Sequence, residues 1–369
     1  MIKWEDAMQM FTQFVSSSLL AAAVAVIVPS IADAQEFYEG KTINVIVGAS
    51  AGSGGDVSAR TFMAGLAGKI PGNPSIVVRN MEGAGGAVAL NFTYEKADPD
   101  GLTFYYGNWD PMAVLAGGEG IRFVPEEFGV IGSAANERGT VVRTDAGDGL
   151  KAPSDIATVS GLRVGGRASS NTNDLIGNLA LTVIGADFRY IPGFKSMGKM
   201  APGILSGELQ AGHTATGGYS RFFVQTTADG ETMMLFYHPF FDENGSIIVP
   251  DEAPFYDGLP SLRDLHVEIH GTEPSGIEWE TYKWLRTNVH ATSPAMMAPP
   301  GTPGELLEML RTAYQDTWAD PSFQESWLAQ FGDAPHVNST ASTIAAFQDY
   351  REITPEMLAV VEQMVELGN

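Results

Sequence analysis

The sequence predicts an α/β fold of two lobes, each a mostly parallel sheet flanked by helices. Three observations predict it. Short β-branched strands alternate with helical segments, early strands run into loops of very small or polar residues, and this order occurs twice along the chain. At 369 residues the chain has about the length of two domains. Ligands of open parallel sheets bind beyond the carboxyl ends of the strands, so these loops are candidate binding segments.

The first strand–helix series follows the N-terminal region. Strand 42–47 leads into loop 48–55, and we expect Asp56 to be the N-cap of a helix that runs to about Lys69. A second buried strand is expected at 75–80, then loop 82–86 and a helix at 87–96. The turn 97–101 precedes a third strand at 102–106. This order predicts βαβ units.

A second series of the same kind begins with a strand at 140–143. It continues with strand 162–166, loop 167–173, helix 174–184, strand 188–191, loop 192–196, helix 197–206, strand 209–214 and a Gly-rich loop at 215–219. The last third is helical, with helices expected at about 303–318, from 320–321, and at 354–367. If these helices pack back on the first lobe, lobe 1 comprises 35–139 and 236–369, and lobe 2 comprises 140–235. We expect hinges near 139–144 and 233–239.

The N-terminus resembles a secretion signal. Residues 14–28 form an apolar run that is shorter than a bilayer span requires, and Ala32 and Ala34 have the small side chains of a cleavage site after Ala34. We therefore expect residues 1–34 to be removed. A retained membrane anchor is the alternative, because Glu5 and Asp6 offset Lys3 in the segment that is usually positive.

Charge and composition exclude several functions. The chain has 21 Lys and Arg against 44 Asp and Glu, a formal charge of -23, so no nucleic acid partner is expected. The absence of cysteine excludes disulfides, thiolate nucleophiles and cysteine-ligated metals. We expect neither a cofactor nor a metal. His266 and His270 are read as structural residues on one face of a strand, and Asp242–Gly245 as an acidic turn.

Several segments resemble one known family. They are residues 45–60 (VIVGASAGSGGDVSAR), Asn80 with Gly83–Gly86, Pro99–Gly101 with Thr103, and the segment 298–303 (APPGTP). In this order they resemble the substrate-binding receptors of tripartite tricarboxylate transporters, the TctC or Bug-type proteins. The sequence departs from the family pattern at Gly48 and Ala51, where prolines are usual, and at Met81 and Glu82, which replace Arg-Pro.

This resemblance implies a two-lobed, type II-like periplasmic binding protein with its ligand cleft between the lobes. It implies a monomeric periplasmic receptor without a catalytic step, which binds a small carboxylate and delivers it to membrane subunits of such a transporter. Dicarboxylates, tricarboxylates, aromatic acids and acidic amino acids all remain open as ligands.

The candidate binding residues lie in the small-residue loops, because backbone N–H groups at loops and helix N-termini bind carboxylates. One wall is expected from Ser50, Ser53, Gly54, Gly55, Gly85 and Gly86, and the opposing wall from Ser169, Ser170, Asn171 and Thr172. Further selectivity is expected from Asn108, Trp109, Lys195 and Tyr219.

A secreted serine hydrolase is the alternative function. Residues 48–52 (GASAG) match G-x-S-x-G after a strand, which would make Ser50 a nucleophile. The match lacks the context of a nucleophile elbow, because Ser53–Gly55 separate Ser50 from the expected helix. Downstream histidines could still supply a base; they are His238, His266, His270, His290 and His336.

Overall fold

A computed structural model describes residues 37–109, 111–115, 120–242, 245–248, 258–332 and 334–368. The predicted signal peptide and its cleavage site lie outside the described residues, as do Glu243 and Asn244 of the expected acidic turn. Within these ranges, no helix has both the length and the apolar character of a membrane span.

The strands are numbered in chain order. They are β1 (Thr42–Val47), β2 (Ser75–Asn80), β3 (Thr103–Gly107), β4 (Gly129–Ala135), β5 (Arg138–Arg143), β6 (Leu162–Gly165), β7 (Phe188–Ile191), β8 (Ala211–Ala215), β9 (Thr232–Tyr237), β10 (Phe240–Phe241), β11 (Ile247–Ile248), β12 (Ala295–Ala298) and β13 (His336–Val337).

The helices are numbered in the same way. They are α1 (Gly54–Ala67), α2 (Ala87–Glu95), α3 (Pro111–Leu115), α4 (Thr172–Val183), α5 (Met197–Leu205), α6 (Thr216–Phe222), α7 (Val224–Ala228), α8 (Leu262–His270), α9 (Ile277–Leu285), α10 (Gly304–Ala319), α11 (Pro321–Phe331), α12 (Thr340–Asp349) and α13 (Pro355–Glu366). A π-helical turn at Arg286–His290 continues α9.

The first sheet has the order β13-β4-β12-β3-β1-β2. Strand β1 pairs in parallel with β2 and β3, which confirms the expected βαβ units. Strand β12 runs antiparallel to both β3 and β4, and β13 runs antiparallel to β4. Four of these six strands therefore run in one direction. Strand β2 is an edge strand with Val77 42% exposed, so the prediction that it is a buried strand is wrong.

Side chains along the central strands point alternately to the two faces of the first sheet, and each face is covered by an apolar layer. Val45 and Val47 pack in one cluster with Phe62 of α1 and Tyr314 of α10. Ile46 packs on the opposite face, in the cluster that contains residues of α2 and α12. Successive side chains of a strand point to opposite faces, so one short apolar strand serves both layers.

The second sheet has the order β7-β6-β8-β5-β9. Strand β6 is parallel to β7 and β8, whereas β5 is antiparallel to β8 and β9. Four of these five strands run in one direction, so this sheet also is mostly parallel. One face packs in a cluster with α4, and the other packs against α5 through Met200 and Ile204.

The two sheets are joined by a short connection. Strand β4 ends at Ala135 and β5 begins at Arg138, leaving Asn136 and Glu137 between them. The first predicted hinge, 139–144, therefore lies mostly inside a strand that is paired on both edges. A strand held by two ladders is a poor place for a hinge, so we assign the connection to residues 136–137.

The helices that follow β9 divide between the two sheets. Leu262 of α8, Tyr282 of α9 and Val361 of α13 share one apolar cluster with Val164 of β6. The predicted boundary at residue 236 assigned all three helices to lobe 1. We propose instead that α8, α9 and α13 complete lobe 2, and that the chain returns to lobe 1 at β12.

Two local predictions are wrong. Residues 266–270 end helix α8 and do not form a strand; Ser261 and Asp264 form a capping box at its start, and Gly271 ends it in a left-handed conformation. Residues 216–219 begin helix α6 and are not a Gly-rich loop. Helix α6 packs against α5 and α11, and such long-range packing overrides the weak helix propensity of glycine.

Candidate ligand-binding site

The loops that follow β1, β2 and β3 meet at one edge of the first sheet. A Cβ atom on Gly48 would lie 2.9 Å from the Cα of Gly86 and 3.1 Å from the hydroxyl oxygen of Tyr105. That hydroxyl donates to the backbone carbonyl of Asn108. Only glycine permits this approach, so Gly48, Gly86 and Asn108 bring the three loops together.

The loop after β1 is held in shape by the first turn of α1. The N-cap is Ser53, whose hydroxyl accepts the N–H of Asp56, so the prediction of Asp56 as N-cap is wrong. Asp56 is the third residue of the helix, and its Oδ2 accepts the N–H of Gly52 at 2.8 Å. Its Oδ1 accepts from Arg60 Nε and Asn80 Nδ2, both at 2.9 Å.

These bonds keep Asp56 charged. Burial acts to raise the pKa of Asp56, but the hydrogen bonds from Arg60, Gly52 and Asn80 outweigh burial and lower it. Asn80 also donates to the carbonyl of Ala49 at 2.9 Å. The carboxylate is thus fully engaged in loop structure.

The same arrangement recurs in the second sheet after β6. Asn171 is the N-cap of α4, and Asp174 is the third residue of that helix. Oδ2 of Asp174 accepts the N–H groups of Arg167 at 2.6 Å and Ala168 at 3.2 Å, and the Tyr190 hydroxyl at 3.1 Å. Here burial outweighs these bonds and raises the pKa of Asp174. Each lobe therefore has a strand, a loop tied to an aspartate, and an open helix N-terminus.

Several of the predicted site residues lie in these loops and are exposed to solvent. Ser50, Gly54, Gly55, Gly85 and Ser170 are exposed, and Lys195 is exposed in the loop after β7. The N–H groups in the first turn of a helix have no acceptor within the helix. Gly54 and Gly55 in α1 and Thr172 in α4 therefore offer donors to an anion.

Other predicted residues are used within the fold. Ser53 and Asn171 cap helices, and the Ser169 hydroxyl donates to the carbonyl of Val365 at 2.5 Å. Trp109 is 1% exposed; it donates to the Thr292 hydroxyl at 3.1 Å and stacks on Phe347 at 4.0 Å between ring centroids. Tyr219 lies on α6, packed beside an apolar cluster. The Trp109 side chain serves packing and is not open to a ligand.

The hydrolase geometry does not form around Ser50. Its hydroxyl donates to Glu82, and the helix begins at Gly54, four residues further on. One ring nitrogen of each of four histidines is hydrogen-bonded elsewhere: His238 to Tyr282, His266 to Thr272, His270 to Ile184 and His290 to Arg286. His336 stacks on Phe240. No group of three or more potential metal ligands occurs in the part of the chain that the structure describes.

Sequence reasoning missed two polar residues at these loops. The sequence placed Asp174 only at the start of a helix. A signal shared with Asp56 could have identified it: an acidic residue at the third helical position after a small-residue loop. Glu82 was noted only as a departure from a family motif. Its contact with Ser50 joins the loops after β1 and β2, and no short sequence window contains both residues.

Comparison with known proteins supports the fold. No family model matches the chain. A protein of Agrobacterium vitis, described as the UPF0065 protein in the TAR-I ttuE-ttuC' intergenic region, is 23% identical over 365 residues, covering 96% of this chain and 92% of that protein.

Similar solved structures are solute-binding proteins. A TctC solute-binding protein from Polaromonas matches with a TM-score of 0.59 at 18% identity, covering 88% of this chain and 99% of that chain. MatC from Rhodopseudomonas palustris with bound malate matches with a TM-score of 0.59 at 17% identity, covering 89% of this chain and 99% of that chain. An R. palustris protein with adipate matches with a TM-score of 0.63 at 17% identity, covering 89% of this chain and 97% of that chain. The two-lobed α/β fold and the resemblance to TctC and Bug-type proteins are thereby confirmed.

Proposed function

We propose that this protein is a periplasmic solute receptor that binds a small organic anion between its two lobes. It delivers this ligand to membrane subunits of a tripartite tricarboxylate-type transporter and has no catalytic step. The observation that carries the proposal is the pair of loops tied to Asp56 and Asp174, each leading to a helix N-terminus. Two such donor clusters on two lobes suit an anion held between them.

The ligand is proposed to be a di- or tricarboxylate or a related carboxylate. Helix N-termini favour negative charge, and their backbone N–H groups bind carboxylate oxygens without a basic side chain. The similar proteins with bound malate and adipate support this class. On this proposal, Ser50, Gly54, Gly55 and Gly85 contact the anion from lobe 1, and Ser170, Thr172 and Lys195 contact it from lobe 2.

Location and assembly follow from the same proposal. Cleavage after Ala34 releases a monomeric receptor with 20 basic and 41 acidic residues, a formal charge of -21. Intact-mass analysis of the protein recovered from the periplasmic fraction tests this step, and we expect a chain that begins at Gln35. A chain that keeps residues 1–34 and stays with the membrane would contradict it.

A thermal-shift screen tests the binding function. The protein is heated with small mono-, di- and tricarboxylates, aromatic acids and amino acids, each over a range of concentrations. A ligand at one hundred times its dissociation constant stabilises the native state by about 2.7 kcal/mol. We expect a saturable rise in melting temperature without consumption of the compound. The proposal fails if no anion raises the melting temperature.

The Ser50→Ala variant separates this function from hydrolysis. A receptor should lose at most one hydrogen bond to its ligand, about 0.5–1.5 kcal/mol. A hydrolase with Ser50 as nucleophile would lose almost all turnover of a test ester. Among the described residues, the Ser50 hydroxyl donates to Glu82 and not to a histidine, an arrangement that does not favour hydrolysis.

A further inference from the structure

Glu82 places a negative charge at the candidate site of lobe 1. It lies in the loop after β2, and its exposed carboxylate accepts the hydroxyl of Ser50 from the loop after β1. Strands β1 and β2 are parallel neighbours, so these two loops lie at the same edge of the sheet. The contact puts the carboxylate beside the residues proposed to bind the ligand.

No basic side chain in these loops neutralises Glu82. Loops 48–55 and 81–86 contain neither Lys nor Arg. The nearby Arg60 is already bonded to Asp56 at 2.9 Å and to Asn80 at 2.9 Å. The loops after β1 and β2 therefore offer N–H donors together with one exposed carboxylate, that of Glu82.

The loops of lobe 2 carry the opposite charge. Arg167 follows β6 and Lys195 follows β7, and both side chains are exposed. The carboxylate of Asp174, which follows the same loop as Arg167, is buried and accepts backbone N–H groups and the Tyr190 hydroxyl. The two candidate walls are thus unlike in charge, although both contain helix N-termini.

We infer that the ligand carries an ammonium group as well as a carboxylate, and that Glu82 selects for the ammonium group. This inference rests on the proposed function and narrows its ligand from carboxylates in general to an amino acid. The carboxylate of such an amino acid binds the N–H donors of both lobes and the cations of lobe 2, and its ammonium group binds the Glu82 carboxylate by a charge-assisted hydrogen bond. A dicarboxylate that spans the same walls would bring a second negative charge to Glu82 and be disfavoured.

Matched ligand pairs test this selectivity. Amino acids of three to six carbons are compared with the acids that lack the amino group and with the corresponding dicarboxylates, by calorimetric titration at low ionic strength. We expect at least one amino acid to bind at least tenfold more tightly than its acid without the amino group. The Glu82→Gln variant should remove this preference and bind dicarboxylates more tightly than the wild type.

Two further variants complete the experiment. Glu82→Asp keeps the charge and should retain the preference, whereas Glu362→Gln, at an exposed site on α13, should behave as the wild type. If dicarboxylates bind but no amino acid is preferred, or if Glu82→Gln keeps the preference, the selectivity role is wrong and the receptor function stands. If the wild type binds none of these carboxylates, the proposed receptor function fails with it.

Discussion

Asp56 and Asp174 occupy equivalent helical positions in the two lobes but use their oxygen atoms differently. Both oxygens of Asp56 accept hydrogen bonds, whereas the three bonds to Asp174 all go to Oδ2. An asparagine has one carbonyl oxygen, so it can keep all the bonds of Asp174 but only part of those of Asp56.

Asn substitutions test this difference. We expect Asp56→Asn to lower the free energy of unfolding at pH 7 by about 1.5–3 kcal/mol, because it removes hydrogen bonds to a charged acceptor. Asp174→Asn should cost less, since it keeps the accepting oxygen and removes a buried charge. Urea unfolding measures both, and a larger loss for Asp174→Asn would contradict the assignment.

The pH dependence of stability should also differ between these two variants. The folded-state pKa of Asp56 is lowered. The stability that the charged Asp56 contributes is therefore fully present above the ordinary pKa of about 3.9, and it is lost as the pH falls through the folded-state pKa. The folded-state pKa of Asp174 is raised, so its ionisation reduces stability as the pH rises. Urea unfolding at several pH values should show that the free energy of unfolding falls less on acidification for Asp56→Asn than for the wild type.

Gly48 tests the close approach of the loops in lobe 1. A methyl group there would meet the backbone of Gly86, which cannot move aside as a flexible side chain can. We expect Gly48→Ala to destabilise the protein by about 1–3 kcal/mol and to weaken ligand binding. Gly68→Ala is the matched control, because a Cβ at Gly68 meets nothing within 4 Å. Equal stability of the two variants would show that the loops do not pack in this way.

At the scale of elements, the C-terminal helix α13 is assigned to lobe 2. Met364 is 3% exposed and packs in the cluster that contains Leu175 and Tyr282. We expect Met364→Ala to cost about 2–5 kcal/mol, whereas Glu362→Ala on the exposed face should stay within about 0.5 kcal/mol.

Hydrogen exchange locates the effect of Met364→Ala. Protection should fall in peptides from α4 and α9, which share the cluster with α13, and persist in peptides from α1. Loss of protection in α1 with α4 unchanged would return α13 to lobe 1 and restore the boundary expected from the sequence.

At the scale of the whole molecule, the formal charge of -23 creates self-repulsion in the compact state. Salt shortens the range of this repulsion, from about 30 Å at 0.01 M to about 8 Å at 0.15 M. We therefore expect the melting temperature to rise when sodium chloride is added over this range. A fall in melting temperature would mean that specific ion pairs, such as that of Lys69 with Asp320, outweigh the general repulsion.

The sequence by itself determined the local elements and their order. Apolar β-branched runs predicted β1 and β2 with their observed bounds, and Pro and N-cap signals predicted the starts of α10, α11 and α13. These features depend on residues close together in the chain, where side-chain alternation and capping act over a few positions. The small-residue loops were found for the same reason.

Only the tertiary structure decided which elements pack together and which polar groups are already engaged. The packing of α13 against α4 and α9, the burial of Trp109 and the contact of Ser50 with Glu82 all join residues that are distant in sequence. No local pattern encodes these contacts, because packing free energy depends on surfaces that meet only in the folded chain.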